Sequence, residues 1–206
     1  MYRLVFIILT LVIVKGLFGC GFPFKNDIDL SDSKSSTNKL DVGNTVSDSS
    51  NYERDIIDLI KKYLERDFGA DDLTIKEISN HDNSSFVIFL IKKGNTLYEG
   101  LAYIEKDHEF YKLNDIDIAE VDLNVPFTKH TLGVLLKDGR DCMIMGGYIN
   151  NKNIKEIHIE YKNNTTNVIK IGKNQNTYMD YIIGQSDYVK EIIGFKENYE
   201  VIYSYN

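Results

Sequence analysis

The sequence predicts an α+β, mainly β fold. One N-terminal amphipathic helix packs on an antiparallel meander, and a small β-sandwich-like antiparallel region follows. Three observations carry this expectation. Apolar residues recur at helical spacing from Tyr52 to Leu64 and then stop at Gly69. The most apolar run of the globular part, Ser85 to Lys92, is followed by a short turn and a second strand-like run. After Phe127 the chain breaks into short alternating runs at roughly ten-residue spacing, the rhythm of a sandwich.

Within the helix, Tyr52, Ile56, Leu59/Ile60 and Tyr63/Leu64 form the apolar stripe, with Arg54, Asp55, Asp58, Lys61 and Lys62 mostly off it. Ser50-x-x-Glu53 matches a capping box, in which hydroxyl and carboxylate each satisfy a backbone amide without an intrahelical partner. Gly69 supplies the stop. The spacing therefore predicts a helix over 51–67. Mixed charges and the sheet that follows favour packing against protein over lying on a membrane.

A short strand, Leu73–Ile78, comes next and ends in the loop Asn80–Asn83. Ser85–Lys92 reads as a central strand, and Thr96–Glu105 pairs back across the Lys93-Gly94-Asn95 turn. Phe110–Leu113 completes a meander. Asp115, Asp117 and Asp122 then alternate with Ile116, Ile118 and Val121 toward Pro126, the pattern of an edge strand or a connector. Seven more strands are expected at Thr131–Lys137, Cys142–Ile149, Ile154–Lys162, Thr166–Ile171, Thr177–Ile183, Val189–Phe195 and Glu200–Tyr205. The globular region is thus 51–206, with lobes at 51–122 (α+β) and 127–206 (all-β).

Ahead of it, the region 20–50 is poor in large apolar residues and has no period, as in Ser31–Lys39. Such a segment cannot bury enough surface to offset its ordering entropy, and reads as a linker. The first residues follow the order of an export signal. A positive end with Arg3 precedes the apolar run Leu4–Val14, and Gly16 and Gly19 give a small-residue exit. That run falls short of the ~20 residues a spanning helix needs.

Leu17-Phe18-Gly19-Cys20 resembles the lipobox of bacterial lipoproteins: an aliphatic residue, a loosely constrained one, Gly or Ala, then Cys. The resemblance covers only residues 1–20 and implies a signal peptide at 1–19, cleavage between Gly19 and Cys20, and acyl chains on Cys20. It departs from the pattern in Lys15, between the run and the box, and in the bulky Phe18. The alternative, an uncleaved anchor extended to Phe24, would hold Lys15 mid-span at a cost of ~2.5–3.5 kcal/mol. Either way the expected location is the cell membrane, with the globular part on its extracytoplasmic face.

The chain has a net charge of −7; losing Arg3 and Lys15 with the signal would make it −9. This balance argues against a nucleic-acid partner, which needs a Lys/Arg surplus on one face. It also leaves the lipid anchor as the means of holding a membrane. Of the two cysteines, lipidated Cys20 would leave Cys142 unpaired, a small buried hydrophobe within Cys142–Met145.

No motif announces catalysis. His81, His108, His130 and His158 lack metal-ligand spacing and read as surface or loop residues. Asp115, Asp117, Glu120 and Asp122 read as a solvated strand face and not as a Ca²⁺ loop. Gly146-Gly147 suggests a bulge or a close backbone approach. No cofactor or metal is expected. Tyrosines crowd the C-terminal part, Tyr188 and Tyr199 among them. Tyr178, Tyr181, Tyr203 and Tyr205 are candidates for a binding patch facing a protein or carbohydrate partner of the envelope. The sequence therefore favours a non-catalytic binding module. An envelope hydrolase with carboxylates assembled by the fold, or an immunity protein with an acidic groove for a basic toxin or bacteriocin, are the alternatives.

Overall fold

The computed structural model describes residues 48–69, 72–108, 110–184 and 189–206. The signal, the lipobox and almost all of the linker lie outside the described residues, as does Tyr188. Those that are described are mostly antiparallel β-structure. Helix α1 (Asp48–Asp67) precedes β1 (Asp72–His81), β2 (Ser84–Lys93), β3 (Thr96–Asp107) and β4 (Phe110–Glu120). Then come β5 (His130–Leu135), β6 (Asp141–Tyr148), β7 (Glu156–Tyr161), β8 (Thr166–Lys170), β9 (Thr177–Ile183), β10 (Val189–Phe195) and β11 (Val201–Tyr205). They pair into three sheets, ordered β1-β2-β3-β4, β5-β6-β9 and β11-β10-β7-β8. No described helix is long and apolar enough to cross a membrane.

The sheets stack because period-two alternation gives each strand two usable faces. On one face of the first sheet, Val87, Phe89, Ile91, Ala102 and Ile104 cluster with Ile56, Ile60 and Leu64 of α1. On the other, Phe86, Ile88, Leu101 and Tyr103 cluster with Leu132, Val134, Cys142, Ile144 and Met179 of the second sheet. That sheet turns Met145 and Tyr178 the other way, onto Ile157, Ile159, Tyr161 and Ile192 of the third. Strand β2 is covered on both faces, hence its unbroken apolar run.

These contacts also bear on the lobes. The cluster between the first and second sheets joins β2 and β3 to β5, β6 and β9, and the described residues lie in one compact unit, Asn44–Asn206.

Several boundaries differ from expectation. Helix α1 starts at Asp48, so Ser50 lies inside it, not at its cap. Its end is as expected: Gly69 has φ +63° and its amide reaches Leu64 O at 2.6 Å. Strand β1 continues to His81, which pairs with Ser84 and leaves Asp82-Asn83 as a two-residue loop. The acidic stretch does not form a separate connector; β4 runs unbroken through it to Glu120 as the edge of its sheet. Gly146 and Gly147 sit in continuous register, so there is no bulge. A Cβ on Gly147 would lie 2.1 Å from Thr128 O, the close backbone approach that glycine permits. Cys142 is buried and free, its thiol pushed up to about 12 by burial.

Candidate binding groove at the hairpin end

Two-residue hairpin loops need positive φ, which Asp tolerates better than most residues. Asp82 (φ +52°) turns β1 into β2, and His108 (φ +57°) turns β3 into β4 at the same end of the sheet. The β5–β6 hairpin turns beside them through Gly139 (φ +84°). Asp138 organises that turn by accepting from the Arg140 amide at 3.0 Å and Arg140 Nε at 2.6 Å.

Ion pairs tie the three turns together. Lys137 Nζ lies 3.0 Å from Asp107 Oδ1, and Arg140 lies 3.7 Å from Asp82. Hydrogen bonding to Lys137 lowers the Asp107 carboxyl, and hydrogen bonding to Arg140 lowers that of Asp138. The first half of α1 closes the remaining side. Tyr52 OH donates to Asn80 Oδ1 and lies 2.7 Å from Ser85 Oγ, and burial raises its proton affinity.

The result is a polar concavity of about 650 Å³ between α1 and the two hairpins of the first sheet. Amides of Asn51, Asn80 and Asn83 and carboxylates of Asp55 and Asp82 line it, with Lys106 and His108 on its rim. A second hollow of about 450 Å³, sharing Asp55 and Tyr111 with the first, continues along α1 past Leu59 to Phe110. Tyr111 stands between them. Its ring is 5.3 Å from that of Tyr52, and Lys106 Nζ is 5.7 Å from its centre. Phe110 is 76 % exposed, the most exposed large apolar side chain described.

The tyrosines singled out from the sequence do not form one surface. Tyr178 is wholly buried and donates to Thr128 O at 2.8 Å. Tyr181, on the opposite face of β9, packs against Phe86 with ring centres 4.5 Å apart. Tyr203 and Tyr205 are half-buried and meet Phe127 edge-on at 5.7 and 5.4 Å; Tyr205 OH donates to Phe127 O at 3.1 Å. They are core-forming rings, which strand position alone could not tell from surface ones.

A second polar cluster is sealed between the first and second sheets. Glu99 is 2 % exposed; Thr128 Oγ1 donates to its Oε2 at 2.6 Å and accepts the Tyr148 amide at 2.6 Å. Burial pushes the Glu99 carboxyl above its ordinary value, opposed by the Thr128 bond and by His130. His130 is buried, not a surface or loop histidine, and its Nε2 donates to Asp117 Oδ2 at 2.8 Å while buried Nδ1 has no partner. Asp117 is therefore not simply part of a solvated face. Parity held the signal for Glu99: it shares a strand face with Leu101 and Tyr103.

Among the described residues no three or more His, Cys, Asp or Glu side chains converge as a metal site. Comparison of the chain with protein-family models, with curated proteins and with solved structures gave no match.

Proposed function

We propose that the chain is a bacterial lipoprotein, held on the extracytoplasmic face of the membrane through Cys20, whose globular part is a non-catalytic binding module. The groove at the hairpin end carries the binding half of this reading. It is a concavity of ligand size whose amides and carboxylates are largely left over from the fold's own hydrogen bonding. The carboxyls whose proton affinity burial raises, Glu77 and Glu99, line neither of its hollows. A general acid would be expected inside the cleft. The anchor half rests on Leu17-Phe18-Gly19-Cys20. We read the fold as α+β, the helix on its meander followed by a sandwich-like pair of sheets.

Cys20→Ala tests the anchor. It should release the protein from membranes and abolish processing; unchanged processing and fractionation would refute the lipobox. A photo-crosslinker at Lys106, beside the groove, tests it. It should capture an envelope component in living cells that the same probe at Val168, on the far edge strand, does not.

A hydrolase is the second reading, favoured by one observation. Glu77 of β1 is raised by burial and by the charge of Asp180 on β9, and Asp180 accepts from Tyr161 OH. Two carboxylates with unequal environments are the raw material of acid–base work. A toxin-capturing role calls for an acidic groove, whereas Lys106, His108, Lys137 and Arg140 balance the aspartates here.

A further inference from the structure

We infer that the groove binds a neutral carbohydrate chain, with one sugar ring on Phe110 and the next among Asn51, Asn83 and Asp55. The inference rests on the groove being a binding site, as proposed above, and adds the class of ligand.

The argument is chemical. A sugar offers adjacent hydroxyls that each donate and accept, and a C–H face that is apolar. Side-chain amides match the hydroxyls because one group carries both a donor and an acceptor, and a carboxylate adds strong acceptors. The first hollow supplies three amides and two carboxylates within one wall system. Asn80 Oδ1 is used by Tyr52, so its amide N–H groups remain to donate. Asn51, Asn83 and Asp55 make no side-chain hydrogen bond among the described residues. The C–H face needs an exposed ring, and Phe110 presents one at the mouth of the second hollow, where nothing in the fold requires it. The two hollows meet at Asp55 and Tyr111, so ring-binding and hydroxyl-binding parts lie end to end. That geometry suits a chain of at least two sugars better than a single one.

Other ligand classes fit less well. A phosphate or sulfate would need spare positive charge, but the first hollow sets Asp55 and Asp82 against Lys106, and Lys137 and Arg140 beside it are bound to Asp107, Asp138 and Asp82. A lipid would need a continuous apolar lining, and the amides and carboxylates of Asn51, Asn80, Asn83, Asp55 and Asp82 interrupt that of the first hollow.

The test uses the full-length chain in detergent, with cellotetraose, maltotetraose, tetra-N-acetylchitotetraose and glucose as probes in calorimetry and saturation-transfer NMR. At least one tetrasaccharide should bind about tenfold or more tighter than glucose. Phe110→Ala should weaken that tetrasaccharide about tenfold while leaving the unfolding midpoint unchanged, and Asp55→Asn with Asn83→Ala should abolish binding. The inference is overturned if none of the tetrasaccharides binds the folded chain, or if binding survives both variants within about twofold. A crosslinker at Lys106 that captures an envelope protein while every sugar fails would sink the carbohydrate and leave the binding reading standing. Failure of both would sink the two together.

Discussion

The two polar clusters of this chain both hold carboxylates, hydroxyls and a histidine and have opposite fates. Around Glu99, two sheets close over Thr128, His130 and Tyr178, and all but one of the named polar atoms find a partner. Around Asn83, turns and a helix stop short of closing, and amides and carboxylates are left facing a hollow. The difference lies in what covers them. Glu99 is roofed by the chain around Thr128 and His130 and must be satisfied internally. The groups at the hairpin end face an open hollow, and can be left for something else. Polarity alone does not mark a site; polarity without an internal partner does.

Changes in the sealed region should cost stability, and changes in the open one should cost only binding. The largest loss is expected from Phe127→Ala, which removes the ring that Tyr178, Tyr203 and Tyr205 meet edge-on. Urea unfolding should show about 3–5 kcal/mol. Next is Thr128→Val, which keeps the shape but deprives Glu99 of its donor and the Tyr148 amide of its acceptor. About 1–3 kcal/mol should be lost, and Thr128→Ser should recover most of it.

Glu99→Gln is the sharper probe, because it tests a slope. With its folded-state proton affinity raised, native Glu99 holds its proton to higher pH than the unfolded chain does. Its contribution is thus present below the unfolded pKa and is lost as pH rises through the folded one. The unfolding midpoint of the parent should fall relative to the variant across that window; a parallel pair of curves would contradict the assignment. The smallest effect belongs to the groove, where Phe110→Ala and Asp55→Asn should each move stability by less than about 0.5 kcal/mol. A loss comparable to that of Thr128→Val would mean that these residues hold the fold, and would erase the contrast.

Local pattern carried much of this. Thr177–Ile183 and Val189–Phe195 coincide with the expected strands, because short apolar runs bounded by turn residues have few other solutions. The helix stripe was legible too, though its start was not, since Asp48 and Ser49 resemble linker in composition. Parity could have separated Tyr178 from Tyr181, three residues apart and so on opposite faces of β9. What no local pattern contains is which sheet a strand joins. Strand β9 skips β7 and β8 to pair with β6, and this pairing buries Tyr178. The groove was hidden for the same reason. Its walls come from two hairpin turns, the start of β4 and a helix face that only tertiary pairing assembles.

That skipped connection also governs how the chain can be made. Strand β6, carrying Cys142, Ile144 and Met145, has one neighbour until residues 177–183 arrive. Until then, the most heavily buried strand of the second half presents a bare, adhesive edge while the β7–β8 hairpin forms beyond it. A product terminated before Thr177 would keep that edge for good and should accumulate as aggregate. Strand β9 thus acts as a chaperone for β6, and safe completion depends on its arriving promptly.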